Sequence, residues 1–378
     1  MNGTAVAEVA RVALKVGLTA FGGPAVHIAM LREEVVVRRR WMSDEKFMDL
    51  LGATNLIPGP NSTEMMIHVG FVHAGWAGFA VGGLLFILPA AAIVLAFAWA
   101  YVTYGQTPAG EWILYGIKPV IIAVVVQAIW GLARTAAKEI VLAIVGVAAL
   151  ALYLAGIHEL AILFGAGLVV LLLSFVRKTG GGKMLGIAAL TAAAGSSQAM
   201  AVTLSPDLTR LFLIFLKIGA VLYGSGYVLL AFLRNEFVIR LGWLTDQQVI
   251  DAVAIGQFTP GPVFTSATFI GYLIGSWQGA LLATMAIFLP SFVFVAVTNR
   301  LIPRLRQSPT AAALLDGVNV GALGLMAGVT WQLGRSAIID AFTIALAVIS
   351  TIVLLRWNIN SAWLVLAGAV AAVIARVI

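Results

Sequence analysis

The 378-residue chain contains no cysteine. Disulfides, thiol catalysis and cysteine-ligated metals are therefore excluded. Charge is also scarce: Asp, Glu, Lys and Arg make up 10% of the residues, against 61% hydrophobic ones. A soluble domain carries about 25% charged residues, and a surface this apolar would aggregate in water. Histidine is limited to His27, His68, His73 and His158, without metal-ligand spacing, and no phosphate-binding loop, Walker motif or nucleophile elbow occurs. No metal or cofactor is expected. Convergent carboxylates and histidines are too few to suggest an enzyme. The net charge of +7 does not imply nucleic acid as a partner, because basic residues gather in the cytoplasmic loops of membrane proteins. A secretory leader is not expected either, since Glu8 and Arg11 precede a Gly-rich stretch with no small-residue cleavage site.

What the chain has in abundance is long apolar runs. A bilayer core about 30 Å thick needs about 20 such residues per crossing. Runs fall near 9–31, 47–73, 76–104, 112–133, 139–156 and 159–176, then near 209–233, 248–273, 277–299, 313–334, 337–355 and 360–376. The chain reads as an all-α polytopic membrane protein with the lipid bilayer as its solvent.

The two sets of runs are copies. Over 14–60 against 216–262, 17 of 47 positions are identical, where chance gives roughly three or four. Beyond the second Pro the register shifts by one and the match continues at Gly70/Gly271, Trp76/Trp277 and Pro89/Pro290. A duplicated apolar chain marks a transporter with two structural repeats. The expected units are a repeat at 1–176, a linker at 177–208 and a repeat at 209–378.

The second run of each half carries Pro58-Gly59-Pro60 or Pro260-Gly261-Pro262. These residues cannot continue a helix: two amide donors are missing and Gly adds freedom. Each segment reads either as a kinked span or as a re-entrant pair of half-helices. In the re-entrant case about five spans remain per repeat, and an odd count inverts the repeats. With the N-terminus outside, Arg32, Arg38, Arg39, Arg40 and Lys46 then fall inside, as the positive-inside rule requires. A further crossing at 184–204 is the topological alternative.

Candidate site residues follow from the duplication. Lys15 and Lys217 occupy equivalent positions in apolar helices, where a lysine costs about 2.5–3.5 kcal/mol. They read as cationic contacts to an anion at the repeat interface, or as side chains snorkelling to the membrane surface. After each break, Gly59, Asn61, Ser62 and Thr63, or Gly261, Thr265 and Ser266, begin a helix whose free N–H groups bind oxyanions. The same hydroxyls can instead serve as caps. Gly22, Gly23, Gly224 and Ser225 allow close helix approach or substrate contact. Arg32 and Arg234 suit a vestibule that draws in anions. Asp49, Glu64 and Asp251 suit a proton or counter-charge role, with His68 one turn beyond Glu64. Glu34–Arg38 and Glu236–Arg240 read as structural helix-face pairs.

Taken together, the repeated Lys-x-Gly, Phe21-Gly22-Gly23-Pro24, the stretches from Trp41 to Glu45 and Trp243 to Gln247, and the Pro-Gly-Pro breaks resemble the chromate ion transporter family in its long two-domain form. The resemblance covers essentially the whole chain. It implies a multi-pass protein of the bacterial inner membrane that exports chromate, or handles the similar sulfate, with two halves in opposite orientation. A small inorganic oxyanion is the expected partner, and a homodimer is left open. The second copy departs at Ser225-Gly226, Val263-Phe264 and Asn235, which puts symmetric binding in doubt.

Overall fold

The computed structural model describes residues 3–21, 23–55, 57–105, 107–136, 139–178, 207–222, 228–298, 309–357, 359 and 361–377. Among these there is no strand. The first repeat contains α1 (Gly3–Thr19), α2 (Pro24–Arg32) continuing as a π-helical stretch (Glu33–Arg38), α3 (Asp44–Thr54), α4 (Asn61–Tyr104), α5 (Pro108–Ala136), α6 (Ile140–Leu154) and α7 (Glu159–Lys178). The second contains α8 (Leu208–Val221), α9 (Leu229–Leu233) with its π-helical stretch (Arg234–Arg240), α10 (Asp246–Phe258), a 3₁₀ turn (Val263–Thr265) leading into α11 (Ser266–Thr298), α12 (Pro309–Ala337), α13 (Ala341–Arg356) and α14 (Ser361–Val377). Element by element the second copy repeats the first. The expected helix starts are present: Ser43 accepts from the Lys46 amide, and Thr245 forms a capping box with Gln248.

α4 and α11 are hairpins rather than single rods. Ala74 and Gly75 leave helical geometry, as do Gly275 and Ser276. After each turn the chain doubles back so closely that a Cβ on Gly70 would lie 2.2 Å from the Gly78 carbonyl oxygen, and one on Gly271 2.3 Å from that of Gly279. Only glycine permits this approach. The first arm of α4, residues 61–73, is about 20 Å long, and α3, with 11 residues, is about 17 Å. Neither reaches across a core of about 30 Å.

α1 packs along α4, and α8 along α11. His73, beside the α4 turn, bonds Glu8 at 2.8 Å and stacks on Trp41. At its other end α1 reaches Phe86, where a Cβ on Gly17 would meet the carbonyl oxygen at 2.9 Å. Glu8 and Trp41 therefore share one end of the bundle. This corrects the expected placement of the N-terminus and the 32–46 stretch on opposite membrane faces. The reason is that α1 and α2 fold back on each other: Lys15 bonds Glu34, and His27 bonds the Ala20 carbonyl.

The later helices exchange partners. α12 packs on α6 and α7 of the other repeat, and α5 packs on α13 and α14. Segments within α4, α5, α7, α11 and α12 are long and apolar enough to cross a membrane, and α6, α13 and α14 are shorter apolar helices. The expected linker lies largely outside the described residues, as does 184–204.

The hairpin glycines yield a stability test. Gly70→Val or Gly271→Val is expected to destabilise the purified protein by about 1–3 kcal/mol or to block its accumulation. Gly165→Ala, with nothing within 4 Å of the new Cβ, is expected to be neutral or slightly stabilising. Thermal unfolding in detergent checks both.

Candidate substrate site at the repeat interface

The two Pro-Gly-Pro breaks meet the ends of the opposite repeat's first helix. The Gly59 amide donates to the Leu222 carbonyl at 2.8 Å, and the Gly261 amide donates to the Ala20 carbonyl at 3.2 Å. Gly59 and Gly261 have φ of 134° and 87°, a region closed to residues with a side chain. The environment around the two glycines is also paired. Gly59 lies beside Glu64 Oε1 and Ser291 Oγ, and Gly261 lies beside Ala90 and the Gly17 carbonyl.

This junction is polar and closed. Ser62, Thr63, Glu64, Gln257, Thr265, Ser266 and Ser291 are all buried. Thr63 Oγ1 and Gln257 Nε2 have no hydrogen-bond partner among the described residues. Thr265 donates to the Pro262 carbonyl and Ser266 to that of Val263, so both hydroxyls cap their own turn. Asn61 bonds Asn55 across the first break at 2.6 Å. The arm 61–73 begins here, with its N-terminal partial positive charge at the junction.

The two lysines, 45% and 31% exposed, are each paired within their own repeat. Lys15 Nζ is 2.6 Å from Glu34 Oε1, and Arg38 and Arg39 also reach that carboxylate. Lys217 pairs with Glu236, which also receives Arg240. Both carboxylates are buried. Glu34 and Glu236 are thus hubs for cations from two helices, not the simple helix-face partners expected. Three cations reach Glu34, of which Arg38 also pairs with Glu33, and two reach Glu236. The Lys-x-Gly spacing explains the placement: Gly17 and Gly219 press against α4 and α11, which turns each lysine toward the π-helical stretch.

Arg32 bonds Asp44 at 2.6 Å in an exposed pair, and this bond holds the Asp44 carboxyl below the usual range. Arg234 bonds Asp246 and also Gln332 of α12. Asp49 is half-buried on α3. Its copy Asp251 is buried, accepts from the Tyr101 hydroxyl at 2.9 Å and lies 3.8 Å from Lys118 Nζ. Asp251 also borders an apolar cavity of about 550 Å³ between α4, α5, α10 and α14. Gly23, at φ 81°, caps the start of α2. Gly22, Gly224 and Ser225 lie outside the described residues.

A family model described as chromate transporter matches residues 7–171 and again 209–373. The chain belongs to the chromate transporter family. Each match covers one of the two repeats described above. A chromate transport protein of Cupriavidus metallidurans is 31% identical over 94% of this chain and 89% of its own length. A probable chromate transport protein of Synechococcus elongatus is 29% identical over 90% and 87%. An uncharacterized transporter of Bacillus subtilis, YwrA, is 31% identical over 91% of its own length but 42% of this chain. The matched 162 residues are about the length of one repeat. No solved structure matches. As a member of this family with several long apolar helices, the chain is a multi-pass membrane protein.

Sequence reasoning missed Lys118, Tyr101 and Ser291. Lys118 gave a signal, a lone lysine before Pro119 in an apolar run, but the duplicated position holds Asn319 and the repeat pattern did not mark it.

The ion-pair hubs of this chromate transporter predict a double-mutant cycle. Lys217→Met leaves Glu236 with Arg240 alone, and the expected loss is about 1–3 kcal/mol, below the ~3–5 of a fully buried pair because Lys217 is 31% exposed. Adding Glu236→Gln is expected to restore part of it. Thermal unfolding of the three variants measures the coupling.

Proposed function

We propose that this chain is a secondary carrier that exports chromate, a tetrahedral dianion, across the bacterial inner membrane, with sulfate as a competing substrate. The observation that carries this reading is the reciprocal contact of the two breaks. The N-terminus of the 61–73 arm, the buried Thr63 hydroxyl and the buried Gln257 side-chain amide supply unpartnered donors there from the two repeats, and Lys15 and Lys217 lie on the first helix of each repeat. The chromate transport proteins named above support the substrate.

Inverted repeats are supported by the course of α4 against α11. Phe79 and Gly83 meet Phe292, whereas Tyr101, farther along α4, packs on Phe269. Phe269 belongs to the arm that pairs with residues near 279, so the second arms of α4 and α11 run in opposite directions. A re-entrant break is supported by the short lengths of α3 and the 61–73 arm and by the return of His73 to the level of Glu8. α1 ends beside the opposite break and shares that half depth, so it counts with the re-entrant elements. The number of crossings between α7 and α8 depends on 179–206, outside the described residues. In this reading 1–176 and 209–378 are the two repeat units.

The membrane potential suits export. A dianion leaving an inside-negative cell gains about 4.6 kcal/mol at 100 mV, so no ATPase is needed. Glu64 is buried beside the first break. A carboxylate there repels an anion unless it carries a proton, which favours a coupling role for Glu64, with Asp49 and Asp251 as secondary candidates.

Proteoliposomes holding the wild type are expected to show chromate counterflow, with trans-stimulation by chromate and competition by sulfate. The charge-neutral pair Lys15→Gln with Glu34→Gln keeps the local balance and is expected to lower flux at least tenfold. Undiminished flux in that variant, or flux without trans-stimulation, would argue against the carrier site.

A further inference from the structure

The two copies of one element sit in different surroundings. α10 is seated on α5, α12 and α14, whereas its copy α3 packs mainly on α4. The sequences match at Asp49/Asp251, and the polar positions Glu45 and Asp49 on α3, with Asn55 just after it, correspond to Gln247, Asp251 and Gln257 on α10. Glu45 of α3 and the Asn55 that follows it are exposed, and Asp49 is half-buried. On α10, Asp251 is 1% exposed and Gln257 3%. The preceding pair follows the same rule: Arg32 is 44% exposed and Arg234 15%.

The polar face of α3 does not belong against lipid. An aspartate and an asparagine at membrane depth face a bundle interior or a water-filled cavity. The exposed α3 side fits an open aqueous vestibule, and the buried α10 side a closed one. Its closure has a specific lock: Lys118 of α5 and Tyr101 of α4 hold Asp251. The copy of Lys118 is Asn319 on α12, with Pro108/Pro309 and Gly116/Gly317 fixing the alignment, and Asn319 is exposed.

We propose that α3 and α10 dock alternately. In a second conformation α10 swings clear and α3 seats on α12, α5 and α7, the copies of the helices that now hold α10. Asn319 then hydrogen-bonds Asp49 where Lys118 now pairs with Asp251. The inference rests on the inverted-repeat reading above and assigns Lys118 and Asn319 as the residues that set the balance. A lysine holds a buried aspartate more tightly than an asparagine does, so the present arrangement is the favoured one.

The natural absence of cysteine makes the test direct. Single cysteines are placed at Asn55 or at Gln257 and labelled with a membrane-impermeant maleimide in sealed vesicles of both orientations. Asn55→Cys is expected to label rapidly from one face. Gln257→Cys is expected to label slowly, from the opposite face. Lys118→Asn, which makes the two locks alike, is expected to raise the Gln257→Cys rate at least threefold and to slow that of Asn55→Cys. Asn319→Lys strengthens the alternative lock without touching the present one and is expected to act in the same direction, so it decides the matter if Lys118→Asn fails to fold. Labelling of Gln257→Cys only after denaturation, with both rates indifferent to Asn319→Lys, would mean a fixed asymmetry and overturn the proposal. Labelling needs no transported ion. A wild type that carries no chromate would therefore sink the substrate reading and leave this inference to be judged on its own rates.

Discussion

A backbone interrupted inside a membrane must satisfy its own peptide groups, because lipid offers no hydrogen bonds. That constraint shapes the centre of this protein. Proline removes donors at each break, glycine bends the chain where no side chain fits, and the remaining glycine amide finds a carbonyl on the other repeat. Neither break is self-sufficient. Each uses the end of the opposite repeat's first helix, so both helices stop at the junction, and polar groups that would be costly elsewhere are gathered there.

Charge follows the same logic. A lone lysine in an apolar helix is expensive, and two such lysines are retained here because each has a buried glutamate within reach. The π-helical stretches bring Glu34 and Glu236 to that position and add arginines from the same turn. Each glutamate gathers cations from two helices rather than one.

The duplication made much of this visible beforehand. Lys15 and Lys217, the breaks, and the caps at Ser43 and Thr245 were marked because they occur twice or obey local rules. Features that depend on one copy alone were hidden. Lys118 has an asparagine as its counterpart, and Ser291 stands opposite an alanine. The turn at Ala74-Gly75 falls between the apolar runs 47–73 and 76–104, so its place was legible; hydropathy carries no direction, and the close pairing of the two arms at Gly70 and Gly78 was not. The partners of Glu34 were likewise out of reach, since an i, i+4 arginine accounted for it locally while the decisive lysine lay 19 positions away.

The exchange of later helices between repeats bears on biosynthesis. α5 is translated well before α13 and α14, two of the helices that cover it. α12 and α10 reach α5 earlier in the chain, but the part of it that α13 and α14 cover waits for those two helices. A truncation that deletes only α13 and α14 strips cover from the opposite half of the molecule.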